Sequence, residues 1–350
     1  MLKKDRREPA AKEAEERMVA PLIDVRNATK IYGGGLFGGR RRVTALRDCS
    51  LTIEGRPATI MAVAGESGSG KSTLAGAVLG FVRLNEGQVL FMGQDVAAMD
   101  RRQRFFYRSQ VQAIFQDPYA VFNPFYRAEH LLNLVIRRFA VANGERDARE
   151  RVEEALGKVG LRGDEVLRKH PHQLSGGQRQ RMMVARAYLM APRLIVADEP
   201  VSMVDASLRS MILDIMLRLR DEAGMSFLYV THDLSTAYQI SDDIHVFYRG
   251  ALVESGRIDD VLNSPKHPYT QLLIESIPLP DPSQRWTTDV SVAAREDGGI
   301  VSDAGCGFQP RCPHRMDHCR THCPALVPIP GTAHKVACHL FECGSDAPRV

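Results

Sequence analysis

The chain has 350 residues, of which 44% are hydrophobic and 25% are charged, and its formal net charge is +4. This composition is typical of one large folded domain with a smaller extension. The small net charge gives no electrostatic basis for a nucleic-acid partner, and no apolar run approaches the roughly 20 residues that cross a bilayer. We therefore expect neither a nucleic-acid-binding protein nor a chain that spans a membrane by itself.

Three regions differ in their sequence pattern. Residues 1–20 mix both signs of charge and lack the apolar core of a secretory signal, so we expect a disordered tail of a cytoplasmic protein. Residues 21–256 alternate short apolar runs with helix-period segments, which predicts an α/β fold with a parallel sheet covered by helices. Inside this region, residues 117–178 are too long for one crossover and indicate an inserted helical subdomain. Residues 257–350 form a loop-like extension rich in proline and cysteine.

A glycine-rich loop follows the first apolar run of this pattern, "TIMAVAG". The loop matches G-x-x-x-x-G-K-[ST], and "STLAGAVLG" after it predicts a helix. In such a loop the backbone N–H groups surround phosphate oxygens, the lysine reaches the β- and γ-phosphates, and the serine binds Mg²⁺. A flexible loop without a ligand is the alternative, which the flanking strand and helix disfavour. The candidate phosphate-binding residues are Gly65, Ser67, Gly68, Ser69, Gly70, Lys71, Ser72 and Thr73.

Three further apolar runs, "VQAIFQ", "RLIVADEP" and "SFLYVTHD", deliver polar groups at their ends. Gln116 offers an amide to Mg²⁺ and to the attacking water. Asp198 is placed to hold Mg²⁺, and Glu199 to polarise the attacking water. His232 is placed to contact the γ-phosphate. Alone, each of these residues would be interpreted as part of a strand-end turn or as a surface residue. Because they accompany a phosphate loop, the catalytic interpretation is favoured.

The stretch "QLSGGQRQRMMVARAYLM" begins a second helix whose N-terminus is suited to phosphate. Its candidate residues are Ser175, Gly176, Gly177 and Gln178. Together with the preceding motifs, in this order, it makes the chain resemble the ATP-binding subunits of ABC transporters over about Pro21 to Pro282. The resemblance implies a P-loop NTPase core of RecA-like type that is an ATPase.

In that family, "LSGGQ" of one subunit closes on the ATP that the phosphate loop of another subunit holds. The resemblance therefore implies ATP, Mg²⁺ and a second ATPase subunit, either a paralogue or a copy of this chain. It also implies that Tyr32 contacts the adenine and that Asp205 bridges the two subunits. Many relatives have S-A-L-D after the catalytic glutamate, whereas this chain has Ser202-Met203-Val204-Asp205.

The segment "SPKHPYTQLLIESIP" resembles the oligopeptide and dipeptide importer branch. This implies two transmembrane permeases, an extracytoplasmic binding protein, and a peripheral position at the cytoplasmic face of the inner or plasma membrane. Members of the branch also import oligosaccharides and nickel chelates, so the cargo stays open. The aromatic residues Phe122, Phe125 and Tyr126 are candidate permease anchors, or else they pack the core of the subdomain.

Two other functions compete with import. ABC ATPases that act on ribosomes carry two ATPase domains in one chain, and those that act on DNA carry a long coiled coil; this sequence has neither feature. A non-transport subunit of a phosphonate-degrading complex is the second alternative.

Six of the seven cysteines lie in the last 45 residues, with the spacing C-x5-C-x6-C-x3-C followed by Cys338 and Cys343. In a reducing compartment such thiols favour a soft metal centre over disulfides. Some relatives carry a [4Fe-4S] cluster here, and the resemblance places it on Cys306, Cys312, Cys319 and Cys338. The nearby histidines keep zinc open, and unliganded thiols are the third alternative. These histidines are His314, His318, His322, His334 and His339.

Overall fold

The computed structural model describes residues 20–33, 42–277 and 304–342. Residues 1–19 of the predicted tail and Cys343 lie outside this part of the chain. The strands are β1 (Ile23–Tyr32), β2 (Val43–Ile53), β3 (Ile60–Ala64), β4 (Glu86–Phe91), β5 (Gln94–Asp95), β6 (Val111–Ile114), β7 (Leu194–Asp198), β8 (Ser226–Val230), β9 (Asp243–Tyr248), β10 (Ala251–Arg257), β11 (Val327–Pro328) and β12 (Lys335–Val336).

The α-helices of the described residues vary from one turn to five. They are α1 (Lys71–Val78), α2 (Arg101–Gln110), α3 (Glu129–Phe139), α4 (Glu145–Lys158), α5 (Gly163–Val166), α6 (Gly176–Tyr188), α7 (Ala206–Ala223), α8 (Leu234–Ile240), α9 (Ile258–Asn263) and α10 (Pro268–Glu275). Short 3-10 helices occupy Val96–Ala98, Tyr119–Val121, Pro171–Gln173, Asp317–Arg320 and His339–Phe341.

The main sheet has eight strands in the order β11-β12-β10-β9-β3-β8-β7-β6. The five strands from β9 to β6 are parallel, which confirms the predicted α/β class. The four apolar runs singled out in the sequence form β3, β6, β7 and β8. Because the carboxyl ends of parallel strands share one edge of a sheet, the polar groups that follow these strands are brought to the same edge.

Both faces of this sheet are buried. In β3, Ile60, Ala62 and Ala64 pack into one apolar core, whereas Met61 and Val63 pack into another on the opposite face. All five side chains are shielded from solvent, which is why the strand is a continuous apolar run rather than an alternating one.

A second sheet, with the order β2-β1-β4-β5, is antiparallel and was not predicted as a separate layer. Its inner face closes the second core, next to α1. The pairing of β1 with β2 contains register shifts around Ala28, which interrupt the alternation of buried and exposed residues. Because β1 pairs with β4 although the two strands are far apart in the sequence, local periodicity does not reveal this pairing.

Four helices, α3 to α6, lie between β6 and β7. The segment interpreted as an inserted subdomain contains the first three of them and the start of α6. Their buried faces, including Leu132, Ile136, Val152 and Leu156, continue the core on that side of the sheet. The described part of the extension is attached to the opposite end, where β12 pairs with β10.

Glu254, on β10, holds this attachment together. Its buried carboxylate accepts the backbone N–H groups of Lys266 at 2.6 Å and His267 at 3.0 Å, and it lies 2.6 Å from Nε2 of His334. Three parts of the chain therefore depend on one buried anion, and losing it leaves buried donors unsatisfied.

We expect Glu254→Ala to lower the free energy of unfolding by about 3 kcal/mol or more, because it strands those donors in the interior. Urea denaturation measures this loss. Glu222→Ala is the matched control, since Glu222 pairs with Lys158 at the surface and is expected to cost about 0.5 kcal/mol. Equal losses in the two variants would contradict the anchoring role of Glu254.

Candidate functional site

The glycine loop runs from β3 to α1 and depends on two backbone conformations. Gly65 has φ +144° and Gly70 has φ +105°, a region in which a side chain is strained. Cβ atoms added there would lie 2.2 Å from the carbonyl oxygens of Phe247 and Ala45, respectively. The chain passes so close to its neighbours that only glycine fits at either position. Ser67, Gly68 and Ser69 complete the turn between them.

Lys71, the first residue of α1, turns its ammonium group back into this loop. Nζ donates to the carbonyls of Gly65 at 2.7 Å and Glu66 at 2.9 Å, and it lies 3.4 Å from Oγ of Ser69. Burial lowers the pKa of Lys71, and the nearby carboxylates, Glu199 foremost among them, oppose that shift. The loop thus concentrates a partly desolvated cation and a helix N-terminus at one point, as an anion site requires.

Ser72 and Asp198 meet at the same edge of the sheet. Oγ of Ser72 donates to Oδ1 of Asp198 at 3.3 Å, and Thr73 follows in the first turn of α1. Burial raises the pKa of Asp198, and the hydrogen bond from Ser72 counteracts this. A hydroxyl and a carboxylate side by side are hard oxygen ligands of the kind that Mg²⁺ takes.

Glu199 joins the other predicted catalytic side chains into one network. Nε2 of Gln116 donates to its Oε2 at 2.9 Å, and Nδ1 of His232 lies 3.0 Å from its Oε1. Glu199 has φ +46°, and its backbone N–H donates to the carbonyl of Val230 at 2.9 Å. A glutamate in this strained region is uncommon, and such residues cluster at functional sites. Gln116, Glu199 and His232 come from three different strand ends.

The second phosphate-binding motif begins helix α6. Ser175 is its N-cap, where Oγ accepts the N–H of Gln178 at 3.1 Å, and the Gln178 side chain returns to the N–H of Ser175 at 3.0 Å. This capping box leaves the N–H groups of Gly176 and Gly177 at the helix start. Within the described residues, no hydrogen bond joins this turn to the glycine loop of the same chain.

Tyr32 and Asp205 lie at the margins of the site. Tyr32 ends β1, is 43% exposed, and has Nζ of Lys30 over its ring at 5.0 Å from the centroid. Asp205 is the N-cap of α7 and accepts the N–H of Leu208 at 2.9 Å and the hydroxyl of Ser207 at 2.8 Å. The Leu208 bond is the main reason that the pKa of Asp205 is lowered.

Sequence reasoning missed a contact between the segment after Gln116 and helix α6. The guanidinium of Arg179 lies 3.6 Å from the ring centroid of Tyr119, bonds to its hydroxyl, and donates to the carbonyl of Pro171 at 2.7 Å. The only sequence signal is that Arg179 directly follows the "SGGQ" turn. This contact ties the start of the second phosphate-binding helix to the segment that carries Gln116.

The three aromatic residues proposed as permease anchors separate in the structure. Phe122 is only 7% exposed and packs in the helical core, so its assignment as an anchor was wrong and the core alternative holds for it. Phe125 is 87% exposed, and Tyr126 is 50% exposed with its ring stacked on His130. Phe125 and Tyr126 therefore stay accessible at the surface of the subdomain.

Four cysteines of the extension converge on one pocket. Cys306, Cys312, Cys319 and Cys338 line it together with side chains that include Phe308 and His339. Burial raises the pKa of Cys306 to about 11 and of Cys338 to about 12, with smaller contributions from the other thiols. Cys323 is exposed and does not line the pocket. The thiols of Cys306 and Cys338 are thus protonated at neutral pH unless a cation stabilises their thiolates.

The histidines near this pocket have different surroundings. His334 is bound to Glu254 and does not line the pocket, whereas His314 and His339 do. His339, His318 and Glu342 place one potential ligand atom each within 4.8 Å of one another, and His318 stacks on His322. Nδ1 of His339 already lies 2.7 Å from the Glu342 carboxylate, and Nε2 lies 2.9 Å from the carbonyl of His322.

At one edge of the parallel sheet, a glycine loop with its lysine lies beside a serine–aspartate pair and a glutamate that is bound to glutamine and histidine. This arrangement is typical of a nucleoside-triphosphatase site. Residues 46–202 match the ABC transporter family, and residues 253–319 match the oligopeptide/dipeptide transporter C-terminal region. No helix among the described residues combines the length and apolar character needed to cross a bilayer.

The relatives cover three quarters or more of the chain. The probable peptide ABC transporter ATP-binding protein y4tS of Sinorhizobium fredii is 36% identical over 91% of this chain and 90% of its own length. The oligopeptide transport ATP-binding protein OppF of Salmonella typhimurium is 37% identical over 76% of this chain and 80% of its own length. The dimeric post-hydrolysis structure of the ATP-binding cassette MJ0796, bound to ADP and Pi, superposes with a TM-score of 0.60 at 26% identity, over 67% of this chain and 98% of that one.

The chain therefore belongs to the ATP-binding proteins of ABC transporters, in the group that carries the oligopeptide/dipeptide C-terminal region. It is an ATPase subunit, with ATP as its nucleotide and membrane permeases as its partners.

Proposed function

We propose that this chain hydrolyses ATP to power the import of peptides by an ABC transporter. The observation that carries the proposal is the network that joins Glu199 to Gln116 and His232 beside the Lys71 loop. Lys71 binds the β- and γ-phosphates, and Ser72, Asp198 and Gln116 hold Mg²⁺. Mg²⁺ neutralises charge on the phosphates when it is bound.

In this mechanism Glu199 acts on the water that attacks the γ-phosphate. Its carboxylate accepts a hydrogen bond from that water and polarises it, while Gln116 and His232 hold the two carboxylate oxygens in place. In this proposal His232 also contacts the γ-phosphate. Because both partners bind a glutamate whose backbone conformation is already constrained, the water-polarising group is positioned before ATP arrives.

The working unit in this proposal is a dimer with ATP between the subunits. The Lys71 loop of one subunit and the Ser175 turn of the other face the same triphosphate. Two anion-binding helix starts in one chain, not joined by any hydrogen bond among the described residues, support a partner in trans. ATP then favours closure because it contacts both halves only in the closed state, and hydrolysis removes that preference. Asp205 is proposed to lie at this interface, and Tyr32 to stack on the adenine.

Peptides are the proposed cargo because the relatives named above are peptide and oligopeptide transport proteins. The extension of this chain also matches the transporter C-terminal region, which favours import over a role in a phosphonate-degrading complex. The complete system would contain two permeases, a second ATPase subunit and an extracytoplasmic binding protein. This chain would be peripheral, at the cytoplasmic face of the inner or plasma membrane.

Glu199→Gln is expected to reduce turnover by about a thousandfold or more, because it removes the water-polarising carboxylate and keeps the side-chain shape. The variant should retain Mg-ATP and accumulate as the closed dimer, which light scattering after size exclusion detects. Asp117→Asn is a control outside the network: Asp117 hydrogen-bonds its own loop, at the N–H of Tyr119. Wild-type turnover in Glu199→Gln would remove the role proposed for this residue.

The transport assignment is tested by purification from native membranes. We expect the chain to be recovered with two polytopic permeases, and recovery with soluble enzymes alone would support the phosphonate alternative. Phe125→Asp should keep soluble ATPase activity and abolish peptide uptake, since it places a charge on the proposed docking surface. Tyr238→Asp, at an exposed aromatic on α8, is the control that should leave uptake intact. Normal uptake by Phe125→Asp would exclude this surface.

We also propose that Cys306, Cys312, Cys319 and Cys338 hold a metal centre, with the [4Fe-4S] cluster of some relatives as the leading candidate. Their convergence on a single pocket supports four thiolate ligands, and the exposed position of Cys323 supports its exclusion. Zinc, held by some of these thiols with His314 or His339, is the second candidate.

Anaerobic purification followed by iron, zinc and acid-labile sulfide assays separates these candidates. We expect about four irons and four sulfides per chain, with broad visible absorption. Cys338→Ser should lose them, whereas Cys323→Ser should keep them because that thiol lies outside the pocket. Stoichiometric zinc would replace the cluster assignment, and the absence of all three would leave reduced thiols.

A further inference from the structure

Glu66, the second residue of the phosphate loop, is held by two side chains from the far end of the chain. Its backbone N–H donates to the hydroxyl of Tyr269 at 2.8 Å, and both of its carboxylate oxygens lie 3.1 Å from an Nη of Arg311. Its carbonyl accepts from Nζ of Lys71 at 2.9 Å. The polar groups of this one residue therefore connect the C-terminal region to the lysine of the nucleotide site.

Tyr269 is a rigid support for this contact. It is fully buried near the start of α10, where its backbone N–H donates to Nδ1 of the N-cap His267 at 3.0 Å. Its ring packs against Tyr248 at 4.5 Å and Phe308 at 5.6 Å between centroids. Burial raises the pKa of the hydroxyl, so the group that receives the Glu66 N–H stays neutral. Because the Tyr269 side chain is closely packed, its hydroxyl keeps the Glu66 backbone N–H in one position.

Arg311 is the only cation of residues 304–342 that the described contacts bring to the loop. Its guanidinium lies 5.6 Å from the Phe308 ring centroid and 6.0 Å from that of Tyr248, and its side chain is 18% exposed. Nε is buried and has no hydrogen-bond partner among the described residues. Arg311 is thus held by ring faces and by the Glu66 carboxylate, and losing that carboxylate would leave a largely buried charge.

We propose that Tyr269 and Arg311 are positioning residues for the nucleotide: by holding Glu66 they keep the phosphate loop and Lys71 in the conformation that accepts the phosphates. The inference rests on the proposed assignment of this loop as the ATP site. An open cleft of about 500 Å³ lies beside the contact, bounded by loop residues 66–69, Tyr248, Arg249 and Arg311. Neither positioning residue is assigned to the reacting atoms, so their effect lies in ordering the loop before binding.

This role predicts an effect on affinity rather than on the chemical step. A loop that loses one restraint must be ordered by the nucleotide itself, which weakens binding by about the worth of one hydrogen bond, roughly fivefold. The constant kcat should change by less than about twofold, because Glu199, Gln116 and His232 keep their network.

The experiment titrates the full-length protein with Mg-ADP and measures KM and kcat for ATP. Tyr269→Phe removes one hydroxyl and keeps the packed ring, and Arg311→Gln removes the charge. We expect each to weaken Mg-ADP binding and to raise KM by about fivefold, with Arg311→Lys intermediate. Tyr238→Phe and Arg146→Gln are matched controls, since Tyr238 is exposed on α8 and Arg146 pairs with Glu150 on the surface of α4.

A double-mutant cycle tests whether Arg311 acts through Glu66. If it does, Glu66→Gln combined with Arg311→Gln should bind Mg-ADP no more weakly than the weaker single variant. If the losses of Mg-ADP affinity in the two single variants multiply in the double variant, the inference is overturned. It is also overturned if the Tyr269 and Arg311 variants bind Mg-ADP as tightly as the controls do, or if these variants lose only kcat. A lower melting temperature with unchanged affinity would show a structural contact only and would also overturn it.

Lys71→Ala, measured in parallel, separates failure of this inference from failure of the proposed site. If Lys71→Ala abolishes Mg-ADP binding while the Tyr269 and Arg311 variants bind normally, only the positioning role is lost. If Lys71→Ala binds as the wild type does, the assignment of the loop as the nucleotide site falls, and the positioning role falls with it.

Discussion

The proposed nucleotide site depends on close packing of backbone against backbone at the end of β3. Gly65 and Gly70 pass so close to the carbonyl oxygens of Phe247 and Ala45 that neither position has room for a Cβ atom. That approach lets Lys71 fold back over the loop and sets the start of α1 at the sheet edge. Every other proposed catalytic side chain is placed relative to this edge, because each lies at or just after the end of a parallel strand that ends there.

The extension is part of the same arrangement rather than an appendage. Its strand β12 joins the main sheet, its His334 shares the buried Glu254 with the loop before α10, and its Arg311 contacts the phosphate loop. Arg311 directly precedes Cys312 in the sequence. The segment that contacts Glu66 is therefore the segment that contributes Cys312 to the cysteine pocket.

Much of the site could be predicted because its residues are local to strand ends. A fully apolar run that ends in a polar group identifies both a buried strand and the group it delivers, as with the four apolar residues of β7 before Asp198 and Glu199. Aromatic residues gave less information, since Phe122 and Phe125 lie three residues apart, one buried and one exposed. Their burial depends on which face the helices of the subdomain present, and the periodicity of a short loop does not encode that.

The sequence by itself determined the class of protein, because its phosphate loop, its polar strand ends and its "LSGGQ" stretch, in this order, resemble those of ABC transporter ATP-binding subunits. It also predicted a helix that starts after Ser175, and the structure has Ser175 as the N-cap of α6. Only the tertiary structure decided that Tyr269 and Arg311 hold Glu66. The physical reason is separation along the chain: partners about 200 residues or more apart meet through sheet pairing and core packing, and no local pattern records which partner each side chain will find.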